Sequence, residues 1–239
     1  MNALVRRVAC AALRIVLGGC ATVPGRDPFE GFNRAVFAFN EKLDEVALKP
    51  VATGYQAVVP QYIRTGVDNV FANIGDLWSA VNHLLQAKPR DAVEMGFRFV
   101  FNSTFGLAGW LDIAGEAGLE RRNEDFGQTL GRWGLRPGPY LVLPVLGPSN
   151  LRDTAALPLD LRALPPAHFD ERRDRNPVSA LYLISTRARL LSATRALDDV
   201  ALDKYVLVRD AYLARRRDQV YDGDPPEEPE AEEPAEPSK

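Results

Sequence analysis

His83 and His168 are the only imidazoles in the chain, so most acid–base or nucleophilic chemistry would have to begin with one of them. A serine hydrolase needs such a base beside an activated hydroxyl, yet no Gly-x-Ser-x-Gly elbow occurs, and a Ser/His/Asp arrangement has no motif behind it. The carboxylate pairs Asp198-Asp199 and Glu124-Asp125 read as solvated helix faces or caps rather than acid/base partners. No glycine-rich loop leads into a lysine, so the phosphate-cradling loop of nucleotide enzymes is absent. Two cysteines and two histidines supply no ligand set for zinc, and neither a metal nor a cofactor is expected. Arginine outnumbers lysine 24 to 5, and guanidinium grips phosphate well. Arg121-Arg122 with Arg132 and Arg136 is therefore a candidate cluster for anionic headgroups. The residue types favour binding over catalysis, and the chain reads as no enzyme.

The one position marked for covalent modification is Cys20. Arg6 and Arg7 precede an apolar run from Val8 to Leu17, interrupted by Arg14, and the run exits through Gly18 and Gly19. This is the layout of a secretory signal. Leu17-Gly18-Gly19-Cys20 resembles the bacterial lipobox, which implies that residues 1–19 are a signal peptide and that Cys20 becomes the acylated first residue. The alternative is an N-terminal core helix with an incidental cysteine. Residues 20–27 carry no periodicity and read as a tether. Ala21 follows the cysteine where some lipoproteins have aspartate, and by that resemblance sorting to the outer membrane is permitted.

The elements that would position any site are amphipathic helices. The 239 residues, 46% hydrophobic and 26% charged, suffice for one domain or at most two, here read as residues 28–221. No apolar stretch reaches the roughly 18 residues of a mature membrane span. Asp27-Pro28-Phe29-Glu30 has the caps of a helix start, and Phe29, Phe32, Val36, Phe39 and Leu43 then lay one apolar stripe, either membrane-facing or core. Pro50 ends that run. Pro60 opens the next, which carries Ile63 to Ile74 and resumes with Leu77 after Gly75-Asp76; Pro89 begins a third. Past Phe105, glycines break every pattern, and Gly131, Gly134, Gly138 and Gly147 are the hinge candidates. Within this region Tyr140, Leu141, Val142, Leu143, Val145 and Leu146 are bracketed by proline and glycine. They read as a hydrophobic hairpin or loop and as the candidate lipid path, with a buried connecting strand as the alternative. A helix starts at Asn176-Pro177, and a last one runs from about Ala196 to Gln219. From Asp222 to Lys239 eight acidic residues stand against one lysine, a tail too polar to pack and read as disordered. The net charge of −3 thus hides a nearly neutral body, which argues against a nucleic-acid partner.

Asp27-Pro28-Phe29-Glu30-Gly31-Phe32-Asn33-Arg34 resembles the opening motif of the MlaA (VacJ) family of outer-membrane phospholipid-transport lipoproteins. The likeness continues in order through Lys49-Pro50-Val51-Ala52, Phe101-Asn102-Ser103-Thr104-Phe105-Gly106, Trp110-Leu111-Asp112 and Glu124-Asp125-Phe126-Gly127-Gln128-Thr129-Leu130-Gly131. It then runs to Gly138-Pro139-Tyr140, Gly147-Pro148-Ser149 and Leu151-Arg152-Asp153. The resemblance implies an all-α, ring-like arrangement of short amphipathic helices with a Gly/Pro-rich hydrophobic hairpin. It implies a seat in the inner leaflet of the outer membrane, lipid-anchored on the periplasmic face, beside a trimeric porin. It also implies that the protein removes mislocalised phospholipid from the outer leaflet and passes it to a soluble periplasmic carrier. A structural lipoprotein holding porins or cell wall in place, or a lipid hydrolase, are the other classes the residues leave open.

Overall fold

The computed structural model describes residues 27–227; the expected signal peptide, Cys20, nearly all of the tether and residues 228–239 lie outside the described residues. Asp27 sets the first turn, because its Oδ1 accepts the Phe29 N–H at 2.8 Å. Helix α1 (Glu30–Leu43) therefore starts after Pro28 and Phe29 rather than at Pro28. Pro50 does not end the run. A single π turn, Asp44–Leu48, leads straight into α2 (Lys49–Val58), so Pro50 sits within a continuous helical run, directly after the π turn that loosens the helix there.

Helix α3 (Gln61–Leu85) is continuous through Gly75-Asp76, where the sequence suggests a break. A mid-helix glycine costs about 1 kcal/mol, and packing along α4 (Pro89–Phe105) outweighs it. The two helices form an antiparallel pair: Asn73 donates to Ser103 Oγ at 2.9 Å, and Arg98 reaches Asp76 at 3.3 Å. Two short helices follow, α5 (Ile113–Glu116) and α6 (Phe126–Arg132). Aspartates cap both: Asp112 accepts from Gly115 N–H and Asp125 from Gln128 N–H.

The Pro/Gly-bracketed segment is a two-stranded antiparallel hairpin, β1 (Tyr140–Leu143) and β2 (Gly147–Asn150), with Tyr140 opposite Asn150 and Leu143 opposite Gly147. It runs directly into α7 (Leu151–Ala163), a helix without a strong apolar signal, which Asn150 caps through the Asp153 N–H at 2.9 Å. A 3₁₀ turn (Pro165–His168) precedes α8 (Arg172–Val200). The single final helix expected from Ala196 to Gln219 is instead the end of α8 and a separate α9 (Lys204–Val220). The first ends where Ala201 turns extended, and Asp203 starts the second by accepting the Val206 N–H.

The described chain closes on itself. Tyr205 of α9 donates its hydroxyl to Asp27, and Arg34 of α1 pairs with Asp203 at 2.8 Å while lying over the Tyr205 ring at 4.5 Å. Purely apolar core is scarce: Tyr140, Val142 and Tyr205 form one knot with Val36, Phe37 and Leu213 around them, and Ala52, Ala188 and Leu191 form another. The fold is all-α apart from the hairpin.

Candidate functional site

Helix faces are reversed relative to a water-soluble protein. In α3 the buried positions are Asn73, Asp76, Ser79, Asn82 and His83 with the small Gly66 and Ala80, while Leu77, Val81, Leu84 and Leu85 are exposed. In α4, Arg98 and Asn102 are buried together with Ala92 and Met95, while Val93, Phe97, Val100 and Phe105 face outward. Phe97, Phe101 and Phe105 line up along that outer face with ring centroids 5.3 and 5.0 Å apart. The α1 stripe resolves the same way: Phe29, Phe32 and Phe39 are exposed and Val36 and Leu43 half-buried, whereas Asn33 on the adjoining face is wholly buried. Apolar surface on this scale, wrapped around a polar interior, suits a hydrocarbon environment. Among the described residues no helix is long and apolar enough to cross a membrane.

The polar interior is built around paired charges. Asp76 is inaccessible to solvent and takes Arg121 at 2.7 Å and Arg98 at 3.3 Å. Arg98 continues to Asp112 at 2.8 Å and donates to the Leu119 carbonyl, and Asn102 bridges Asp112 to the Ala114 N–H. Burial raises the Asp76 carboxyl, against the pull of both guanidiniums. Burial also acts on Asp112, but hydrogen bonds from Asn102, Arg98 and the Gly115 N–H outweigh it and hold that carboxyl below the usual range. A second network joins three elements through Arg216 of α9, which meets Asp125 at 2.7 and 2.8 Å and Asp153 at 2.7 Å. Tyr212 also donates to Asp153.

The arginine cluster suggested for headgroups is not assembled in that form. Arg121 is spent on Asp76 and Asp112, and Arg122 on Asp91 and Glu94, because the interior carboxylates need charge partners once buried. Arg132 and Arg136 are exposed.

The hairpin is held by two asparagines that periodicity does not single out. Asn33 Oδ1 accepts the Val142 N–H at 2.8 Å while its Nδ2 donates to the Tyr140 carbonyl at 3.0 Å and to Asp27 at 2.8 Å. Two helical turns on, Asn40 Nδ2 donates to the Leu143 carbonyl at 2.9 Å and its Oδ1 accepts the Val145 N–H at 2.8 Å. The side-chain amides thus stand in for a third strand along the free edge of β1, satisfying backbone groups that would otherwise be unpaired. The signal that finds them is their spacing of seven, which puts both on one face of α1 directly beside the apolar stripe.

The six lipid-path candidates divide by burial. Tyr140 and Val142 point into the apolar knot, and burial beside Asp27 pushes the Tyr140 hydroxyl up to about 12. Leu141 and Leu143 are half-buried. Val145 and Leu146, at the turn, are more than half exposed, and Val145 takes a φ of 67°, a strained value for a β-branched residue. Only these two positions stand free to meet a ligand. Of the hinge candidates, Gly134, Gly138 and Gly147 have positive φ. Gly131 lies inside α6, where a Cβ would meet Arg152 Nη1 at 2.5 Å and Val220 at 2.9 Å, so it serves close packing. A polar cavity of about 710 Å³ opens beside His83 and Glu124, between the α3–α4 turn and the end of α9.

The model of the MlaA lipoprotein family matches residues 25–219 of this chain. The intermembrane phospholipid transport system lipoprotein MlaA of Shigella flexneri is 36% identical over 223 residues, covering 88% of this chain and 86% of that protein. An uncharacterised protein of Rickettsia bellii is 36% identical over 205 residues, covering 85% and 80% respectively. A chain solved in work on the structural basis for maintenance of bacterial outer membrane lipid asymmetry superposes with a TM-score of 0.71 at 34% identity, over 82% of this chain and 99% of that one.

Proposed function

Because the chain belongs to the MlaA lipoprotein family, we propose that it removes mislocalised phospholipids from the outer leaflet of the outer membrane and passes them to a soluble periplasmic carrier. Its role is then to keep the two leaflets of that membrane different. The observation that carries this reading is the reversal of burial in α1, α3 and α4, with phenylalanine and leucine outside and paired charges inside. An outward Phe, Leu or Val side chain gains roughly 1.5–3 kcal/mol on entering hydrocarbon, so these helices seat the body in a membrane plane without spanning it. The polar interior then offers headgroups an alternative to water, and the exposed tip of the hairpin offers acyl chains an apolar contact.

In this reading Cys20 carries the acyl anchor and residues 20–27 tether the body to the periplasmic face of the membrane. A trimeric porin beside the exposed apolar surface completes the seat. The test is made on intact cells of the host. Removing the gene should raise the amount of phospholipid that a non-permeant amine reagent labels at the surface, and restoring the chain should lower it. Labelling unchanged by either manipulation overturns the reading, and release of free fatty acid in place of intact lipid assigns hydrolysis instead.

A further inference from the structure

The cavity of about 710 Å³ between the α3–α4 turn, the loop ahead of α6 and the end of α9 has a feature that the polar networks around it do not explain. His83 lines it, is 2% exposed, and leaves Nδ1 without a hydrogen-bond partner among the described residues. Its other ring nitrogen, Nε2, lies 3.2 Å from the Arg122 carbonyl oxygen. A carbonyl only accepts, so in the neutral ring Nε2 carries the hydrogen and Nδ1 presents a bare lone pair. A buried acceptor of this kind is destabilising until a donor meets it.

The charges that share the lining differ in how firmly they are engaged. Glu124 is held by Gln86 at 2.8 Å and by Lys88 at 3.3 Å, Lys88 also holds Asp222 at 2.6 Å, and Arg122 is taken by Asp91 and Glu94. Asp218 is exposed and makes no ion pair among the described residues. Arg90 is 88% exposed, with Glu94 at 3.7 Å as its only salt-bridge partner among the described residues. The lining therefore combines a buried ring nitrogen whose acceptor is unmet, a carboxylate with no cation on it, and a guanidinium with a distant partner. A ligand that answers all three carries a primary ammonium, which donates N–H and is positive, a short link away from a phosphate.

We propose that this cavity is a subsite for phosphoethanolamine-type headgroups. The ammonium donates to His83 Nδ1 and pairs with Asp218, while the phosphate meets Arg90. The proposal deepens the phospholipid reading above and rests on it. It makes a selectivity claim that charge alone would not make: a choline headgroup is equally zwitterionic, but its quaternary nitrogen has no N–H to give.

With only two histidines in the chain, the test is direct. Full-length protein carrying ¹⁵N-labelled histidine is placed in nanodiscs of phosphatidylglycerol, and the His83 signals are identified by their loss in His83→Gln. Glycerophosphoethanolamine should move the Nδ1 resonance saturably, and ethanolamine alone should move it more weakly. Glycerophosphocholine and inorganic phosphate should leave it in place. Asp218→Asn, a change at an exposed position, should weaken glycerophosphoethanolamine binding about tenfold, as expected for losing a charged hydrogen bond. Equal responses to the ethanolamine and choline compounds, a response to phosphate alone, or no response at all would each overturn the subsite. Surface phospholipid is measured separately in cells, so loss of the subsite with clearance intact leaves the proposed function standing.

Discussion

Asn33 and Asn40 each spend both ends of one amide on the hairpin backbone, which makes them the residues whose loss is easiest to foresee. Replacing Asn33 by leucine strips partners from the Val142 N–H and the Tyr140 carbonyl in a site with no solvent access. The expected cost is about 3 kcal/mol, from two buried groups at about 1–3 kcal/mol each, read as a lower urea midpoint. Asn40→Leu acts nearer the surface. Its expected signature is faster hydrogen exchange at the Val145 amide with little change in the midpoint. Asp153 gives the pH dependence. Burial lifts this carboxyl, but the hydrogen bond and charge of Arg216, with Arg152 and Tyr212, lower it further than burial raises it. A group whose folded value lies below its unfolded one stabilises above the unfolded value, near pH 4, and that contribution drains away as pH falls through the folded value. Thermal stability should therefore drop on acidification below about pH 4, and Asp153→Asn should both lower stability at neutral pH and flatten that drop.

Among the elements, α6 depends on a glycine for its seat. Gly131→Ala pushes a methyl into Arg152 and Val220, so the helix must lift from α7 and α9. A loss of about 1–3 kcal/mol is expected, measured by calorimetry, with α6 amides exchanging first. The tail behaves oppositely. A chain stopped after Glu227 keeps the Lys88–Asp222 pair and should match the full chain in melting temperature and in surface phospholipid. Much of this element order is legible in the sequence, since Pro60 and Pro89 fall at helix starts and the Pro/Gly brackets fall at the ends of the hairpin. What periodicity misses has physical causes. The break in the final helical run comes from an extended Ala201 and the capping of a new helix by Asp203, both local events inside an otherwise helical pattern. Helix α7 buries only Arg152 and Ala156, so it has no apolar stripe to detect. The stripes themselves are easy to see, but their sense is not: a run of phenylalanines looks the same whether it faces a core or a bilayer. Only the buried partners, Asn33 beside Phe29 and Phe32 and Arg98 beside Phe97, decide it. The interior networks are visible as motifs, in Asn102, Asp112, Asp125, Arg152 and Asp153, without their pairing, which depends on contacts across as many as 91 residues.

For the molecule as a whole, three features fit together. Apolar helix faces point outward, charged groups pair inside, and one hairpin, clamped by α1 and packed on α9, carries exposed apolar side chains at a strained turn. In the function proposed for this chain, the hairpin tip, not its buried root, is the part expected to meet acyl chains. The decisive measurement places a photoreactive phenylalanine analogue at Leu146 in living cells, with the same analogue at the buried Val142 as the internal reference. Illumination is expected to attach intact phospholipid at Leu146 and only residues of the same chain at Val142. Adducts confined to the chain itself at both positions would contradict a lipid-contacting tip, and would make the hairpin a packed loop with no part in moving lipid.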